Sequence, residues 1–185
     1  MEPVANRYQI TPQGVDFIKG WESYDPNGDG AYPYICPTGH LTIGYGRVIK
    51  SRDEYPHRVS EAMATLMLRD DLARYERAVR AYIRVELMPW EYDALVSFTF
   101  NCGAGALQRS TARRRINRGD MERGADALLM WCKGRLRQGG PLVKIKGLYN
   151  RRVAERDIFL NGYGYTQPAT STSPVRPGEA YREAA

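Results

Sequence analysis

The feature that most restricts how this chain can fold is "SEAMATLMLRDDLARYERAVRAYI", residues 60–83. Leu68, Leu72, Tyr75, Val79 and Tyr82 recur at spacings of 4, 3, 4 and 3, the period of one apolar helical face. Ser60 stands where a helix N-cap belongs. A helix of about twenty residues spans roughly 30 Å, the diameter of a small domain. A chain of 185 residues that carries such a rod is expected to build two lobes and link them through it.

Shorter elements follow from local signals. Thr11-Pro12 predicts a cap with proline at the first helical position. Val15, Ile18 and Glu22 then share a helical face, which places Glu22 near the helix end. The stretch "SYDPNGDGAYP" is rich in turn residues. Tyr34 to Val48 predicts a small β-hairpin turning at Pro37-Thr38-Gly39. Further helices are expected over "PWEYDALVSFTFN", "STARRRIN", "DMERGADALLMWC" and residues 147–160. From Gln167 onward apolar periodicity disappears, which predicts a disordered tail over 167–185 beside a folded domain over 1–166.

Composition narrows the function. There are 27 Lys+Arg against 21 Asp+Glu, a formal charge of +6. That balance suits a polyanionic partner and serves solubility equally well. Three cysteines without paired spacing and only two histidines do not make a structural zinc site or a disulfide framework. The first residues, "MEPVANRYQITPQGVDF", lack the apolar core of a signal peptide or anchor, so stable membrane insertion is not expected. The basic run "RRRINRGDMER" sends Arg113, Arg114 and Arg115 in three directions around a helix. With no interleaved aromatics, a nucleic-acid partner is not expected.

Candidate chemistry concentrates in the first fifty residues. A glutamate on the apolar side of a helix end is partly desolvated, which suits a general acid working near neutral pH. The hairpin carries Cys36 and Thr42. Thr42 has a hydroxyl able to hold a water, and Cys36 has a thiol whose ordinary pKa is about 8.5. Gly39, Gly44 and Gly46 allow a polymer to approach the backbone. Each residue also has an ordinary structural reading: a surface Glu, a buried small thiol, a tight hairpin. Cys102 and Cys132 lie among apolar residues and are expected in the core.

Taken together, "WES…YICPTGHLTIGYGRV" resembles the active-site segment of phage-type lysozymes, glycoside hydrolase family 24. That pattern has a glutamate ending the first helix, then Asp or Cys, five residues, and a Thr opening "TIGYG". Here these are Glu22, Cys36 and Thr42. "ALVSFTFNCGAGALQRSTARRRINRGD" and "GLYNRRVAERDIFLNG" are similar to the family's second-lobe core and closing helix, so the resemblance covers roughly residues 10–163. It implies an α+β, mostly α, lysozyme-like fold, with a β-hairpin lobe joined by a long helix to a helical lobe. It implies a muramidase cleaving the β-1,4 bond between N-acetylmuramic acid and N-acetylglucosamine. Glu22 would be the acid, with Cys36 and Thr42 placing water, and Gly44, Tyr45, Asn101 and Ser110 would contact substrate. The setting implied is a phage endolysin, a monomer without a required cofactor. It would be held in the host cytoplasm until a separate membrane-permeabilising protein lets it reach peptidoglycan. The alternatives are a lytic transglycosylase and a non-catalytic wall-binding module.

Two departures from the family pattern stand out. Glu22 and Cys36 are fourteen positions apart where the family usually has nine, and Arg47 stands where it often has His. Within the longer stretch, Asp25, Asn27, Asp29 and Gly30 match positions 1, 3, 5 and 6 of a calcium loop. Position 12, normally Glu, falls on Cys36. A structural calcium is therefore an expectation that rests on half a motif.

Overall fold

The computed structural model describes residues 9–22, 24–36, 39–135, 137 and 139–164, with the backbone alone at 26 and 27. The expected tail over 167–185 and the turn residues Pro37 and Thr38 lie outside the described residues. Contacts divide the chain into two units. One is Val15–Ala73; the other joins the residues up to Gly14 with those from Arg74 onward. The architecture is mostly helical with small antiparallel sheets, which is the expected fold class.

In the first unit, helix α1 runs Pro12–Trp21 from the end of the other unit. Val15 and Ile18 are buried as the periodicity predicts. Strands β2 (Tyr34–Ile35), β3 (Leu41–Ile43) and β4 (Arg47–Val48) form an antiparallel sheet in the order β2-β3-β4. Tyr34 pairs with Thr42, and Thr42 with Val48. The expected hairpin is thus three strands. The second reversal occurs at Gly44 and Gly46, whose φ values of 61° and 95° lie where only glycine is unstrained.

The stretch expected to be turns is instead extended backbone, β1 (Asp25–Tyr32). It bends at Gly30, where φ is 96°. Tertiary hydrogen bonds explain the difference. Gly44 N–H donates to the Gly30 carbonyl at 2.9 Å, and Val59 N–H donates to the Ala31 carbonyl at 2.8 Å. These partners lie far along the chain, and they outweigh the local turn preference of Asp, Asn and Gly.

Helix α2 is Glu61–Tyr82. Ser60 Oγ accepts from Met63 N–H at 3.3 Å, and Leu68, Leu72 and Val79 are buried. The division between the units falls inside this helix. The second unit continues through α3 (Pro89–Cys102), α4 (Ala104–Arg109), α5 (Thr111–Ile116) and α6 (Met121–Asp126). A two-stranded hairpin, β5 (Lys133–Arg135) with β6 (Leu142–Lys144), leads into α7 (Lys146–Asn161). α3 packs along α7.

The start of α1 is tied to α3 by a buried carboxylate. Asp93 Oδ1 accepts from Thr11 N–H at 2.9 Å. Its other oxygen accepts from the Thr11 hydroxyl and, at 2.8 Å, from the Tyr163 hydroxyl. Thr11 Oγ1 in turn accepts from Gly14 N–H at 3.0 Å, the cap expected from the sequence. A Cβ on Gly14 would lie 2.5 Å from Asp93 Cγ, so this turn has room for glycine alone.

Asp93→Ala is expected to leave the Thr11 amide and two hydroxyls without their acceptor, at about 2–3 kcal/mol. In thermal unfolding this corresponds to a fall in Tm of about 5–10 °C. Burial raises the Asp93 carboxyl above its usual range, against the hydrogen bonds from Thr11 and Tyr163 that lower it. The folded protein therefore holds that proton more tightly than the unfolded chain. The associated stability is fully present below the unfolded pKa of about 3.9 and is lost as pH rises through the folded value. The difference in Tm between wild type and Asp93→Asn is expected to move in the variant's favour from about pH 4 to about pH 7.

Candidate active site

Glu22 is the first residue beyond α1, half-buried. Its N–H donates to the Lys19 carbonyl at 3.2 Å, so the last helical turn fixes its backbone. That turn is itself anchored. Lys19 Nζ lies 3.0 Å from Glu61 Oε1 at the start of α2. The Tyr45 hydroxyl donates to the same oxygen at 3.0 Å. Lys19 Nζ also sits 5.5 Å from the centre of the Tyr45 ring, and Tyr24 packs on Tyr45 with centroids 5.4 Å apart. The Lys19 hydrogen bond, followed by that from Tyr45, holds the Glu61 carboxyl below its ordinary range. Burial, followed by the bond to Glu61, pushes the Tyr45 phenol up. A lysine, a tyrosine and a glutamate thus hold the end of α1, the "TIGYG" turn and the start of α2 to one another.

Cys36 and Thr42 meet on a single acceptor. The His40 carbonyl accepts from Cys36 N–H at 2.9 Å and from Thr42 Oγ1 at 2.9 Å. Gly39 N–H donates back to the Cys36 carbonyl at 2.8 Å. One carbonyl thus accepts from the backbone of Cys36 and from the side chain of Thr42. Thr42 is 2% exposed. Because its hydroxyl proton is committed to His40, its oxygen is left as an acceptor, the role needed to orient a water's proton.

Tyr34, which the residue patterns do not single out, belongs to the same place. It pairs with Thr42 across β2 and β3, and residues directly opposite share a face of the sheet. Cys36 follows two residues later, in phase with it. Burial first, then the neighbouring Asp29, Cys36 and Glu22, raise the Tyr34 phenol above its ordinary range. One ring thus feels both ends of the candidate chemistry. The signal available beforehand was its position two residues before Cys36 on a strand.

The family model for phage lysozymes matches residues 25–155. The chain belongs to the phage lysozyme family. The match begins just after Glu22. The chain is 33% identical to an endolysin of Bacillus phage B103 over 186 residues, covering 95% of this chain and 66% of that relative's length. Among solved structures, an endolysin from Escherichia coli O157:H7 phage FAHEc1 shares 32% identity at a TM-score of 0.76. That likeness covers 89% of this chain and 100% of the other. The muramidase domain of SpmX from Asticaccaulis excentricus shares 32% identity at 0.72, covering 84% and 99%.

Within this phage lysozyme fold, the remaining candidates divide by exposure. Gly44 is buried at the turn, with a Cβ position 3.4 Å from Ala64 Cβ. Tyr45 is 6% exposed, and its hydroxyl is used by Glu61. Ser110 is 1% exposed; its hydroxyl donates to the Leu107 carbonyl and accepts from Arg113 N–H, both at 2.9 Å. It caps α5. Gly44 and Ser110 thus serve the backbone, while the Tyr45 hydroxyl bonds a side chain at the start of α2. Asn101 is exposed at the end of α3, and its carboxamide oxygen accepts from Arg152 Nη1 at 3.0 Å. Arg47, standing where the family often has His, bonds Asp71 Oδ2 through Nε at 3.0 Å and the Met67 carbonyl through Nη2 at 2.6 Å. It ties β4 to α2. Cys132 is buried, while Cys102 is half-buried with its sulfur 2.7 Å from Arg152 Nη1.

The calcium expectation depended on a loop wrapping one point. Asp25 and Asp29 lie instead in β1, Asp25 Oδ2 falls 2.9 Å from a Cβ position on Gly28, and the Asn27 side chain lies outside the described residues. Among the described residues no group of three or more His, Cys, Asp or Glu side chains is placed to hold a metal ion.

Glu61→Ala is expected to release Lys19 and Tyr45 together and to lower the activity of the site about tenfold through loss of positioning. Lys19→Met and Tyr45→Phe should each do less. Their double variant should match Glu61→Ala rather than the product of the singles, because both act through one carboxylate. Initial lysis rates and melting curves of the four variants check this.

Proposed function

We propose that this chain is a peptidoglycan hydrolase, a muramidase that cleaves the β-1,4 bond between N-acetylmuramic acid and N-acetylglucosamine in the service of phage lysis. Membership of the phage lysozyme family and the muramidase and endolysin relatives support the substrate class. The observation that carries the residue roles is the shared His40 carbonyl. It is bonded by the Cys36 backbone N–H and by the Thr42 hydroxyl, beside Tyr34, which pairs with Thr42 across the sheet.

In this reading Glu22, in its acid form, donates a proton to the glycosidic oxygen as the bond to the anomeric carbon breaks. Positive charge develops on the ring carbon and oxygen. A water accepted onto Thr42 Oγ1 and approached by Cys36 attacks the anomeric carbon from the opposite face. Its surplus proton leaves through the site to solvent, and the sugar is released with inverted configuration. Glu22 is then reprotonated from water. The thiol of Cys36 occupies the position where relatives in this family can carry Asp. As a neutral thiol it helps to hold the water without taking its proton, while the water is oriented by a hydroxyl whose own proton is committed elsewhere.

Among the described residues no helix is long and apolar enough to cross a membrane. We assign the chain a monomeric working form, made in the host cytoplasm. It reaches the wall once a separate protein has permeabilised the membrane.

Glu22→Gln keeps the shape and loses the proton. Lysis of outer-membrane-stripped cells is expected to fall by about 10²–10⁴-fold with an unchanged melting curve. More than a tenth of wild-type activity in that variant would remove Glu22 from the assignment. The product mass separates hydrolysis, which adds water, from the anhydro product of a transglycosylase.

Cys36→Asp is expected to retain activity within about tenfold of wild type, whereas Cys36→Ala loses most of it. Full activity in Cys36→Ala would leave Thr42 and Glu22 to carry the reaction.

A further inference from the structure

From residue 127 to residue 154 the chain contains no Asp or Glu, yet it contains Lys133, Arg135, Arg137, Lys144 and Lys146. The β5–β6 hairpin sorts these cations by face. Lys133 pairs with Lys144, Gly134 with Val143, and Arg135 with Leu142. Residues 133, 135, 142 and 144 are exposed, while Gly134 and Val143 are partly covered. A Cβ on Gly134 would lie 2.6 Å from Ile145 Cδ1, so that face rests on the chain entering α7. The opposite face is Lys133, Arg135 and Lys144 beside an apolar Leu142.

This arrangement opposes the hairpin's own stability. Like charges directly across two strands repel, and a two-stranded hairpin is marginal to begin with. Two of the three cationic side chains are nonetheless held in place. Lys144 Nζ sits 3.6 Å from the centre of the Tyr149 ring, and Arg135 Nη1 donates to the Gly140 carbonyl across the turn. Cations fixed before a partner arrives lose little freedom on binding it.

We propose that the Lys133–Arg135–Lys144 face is a binding surface for the carboxylates of the peptide stems carried by peptidoglycan, which rests on the reading that peptidoglycan is the polymer this chain works on. Charge complementarity asks for an anionic partner with several charges close together. The relatives come from phages of Bacillus and of Escherichia coli, and the anion common to both kinds of wall is the stem carboxylate. A planar guanidinium flanked by ammonium groups suits carboxylates in a row, and Leu142 offers an apolar contact for the aliphatic parts of the stem.

The test measures binding of Glu22→Gln protein, which leaves the wall uncut, to purified sacculi at about 0.1 M salt. Three preparations are compared: untreated, carboxyl-amidated, and stripped of phosphate polymers by hydrofluoric acid. Amidation is expected to weaken binding about tenfold and phosphate removal to leave it unchanged. Adding Lys133→Gln, Arg135→Gln and Lys144→Gln should weaken binding to untreated sacculi as much as amidation does. A second variant, Lys133→Glu, places opposite charges across the strands. It should be at least as stable as its parent yet bind less. Binding that survives amidation, binding lost with the phosphate polymers, or Lys133→Glu protein that binds like its parent overturns the proposal. Release of reducing ends by the protein with Glu22 intact is scored separately, so failure of the hydrolase reading is visible apart from failure of this one.

Discussion

Glu61 Oε1 receives a lysine from α1 and a tyrosine from the turn after β3, while its own backbone begins α2. The candidate acid belongs to a helix end and the candidate water-holding groups to a sheet. Nothing in the covalent chain between them sets their spacing, because fourteen positions of bent backbone intervene. One carboxylate with two donors, together with the hydrogen bonds that Gly44 and Val59 make to β1, ties these elements to one another. Exposed ion pairs contribute little to stability, so the value of this one is geometric. It selects a single arrangement for three elements that hydrophobic burial alone would hold more loosely.

The second unit uses charge differently. Glu155, on α7, is fully buried. Its Oε1 accepts from Ser97 Oγ at 2.8 Å and from Arg152 Nη2 at 2.7 Å, with Arg151 Nε at 3.3 Å; Oε2 lies 2.7 Å from Arg152 Nε. Such a cluster adds little net stability over an apolar equivalent, whereas removing one member typically costs about 3–5 kcal/mol. It links α3 to α7 through Ser97 and Glu155. Arg152 then extends that order outward, to the Asn101 carboxamide and the Cys102 sulfur.

Much of this was legible in the chain, and the parts that were not share a cause. The long helix, the Thr11 cap, the Ser60 cap and the closing helix each rest on local periodicity or on a side chain bonding its own neighbours. The resemblance to phage lysozymes was carried by motifs with fixed spacing. By contrast, β1 is extended because Gly44 and Val59 donate to it from elsewhere, and a window of turn-forming residues cannot show that. The three-stranded sheet required two glycines to supply a second reversal. The β5–β6 hairpin has a Gly and exposed lysines where alternation would be sought. The partners of the Ser110 and Tyr45 hydroxyls, Leu107 and Arg113 for one and Glu61 for the other, are likewise invisible in one dimension. Tyr34 offered only its place two residues before Cys36, and its pairing with Thr42 needed the fold.

The shared acceptor of Cys36 and Thr42 is a backbone oxygen, and that has a consequence for how the site tolerates change. The peptide carbonyl at position 40 is the same for every amino acid, so the imidazole of His40, which is exposed, is free to be exchanged. A scan of side-chain replacements would score position 40 as permissive although the Cys36 backbone and the Thr42 hydroxyl both bond it. The vulnerability is transferred to the path of the main chain. Proline at position 41 would restrict the residue before it to extended conformations and remove an N–H from β3. Insertions in the turn between Cys36 and His40 would move the oxygen itself. Relatives can therefore be expected to vary the chemistry of this turn's side chains widely while keeping its length.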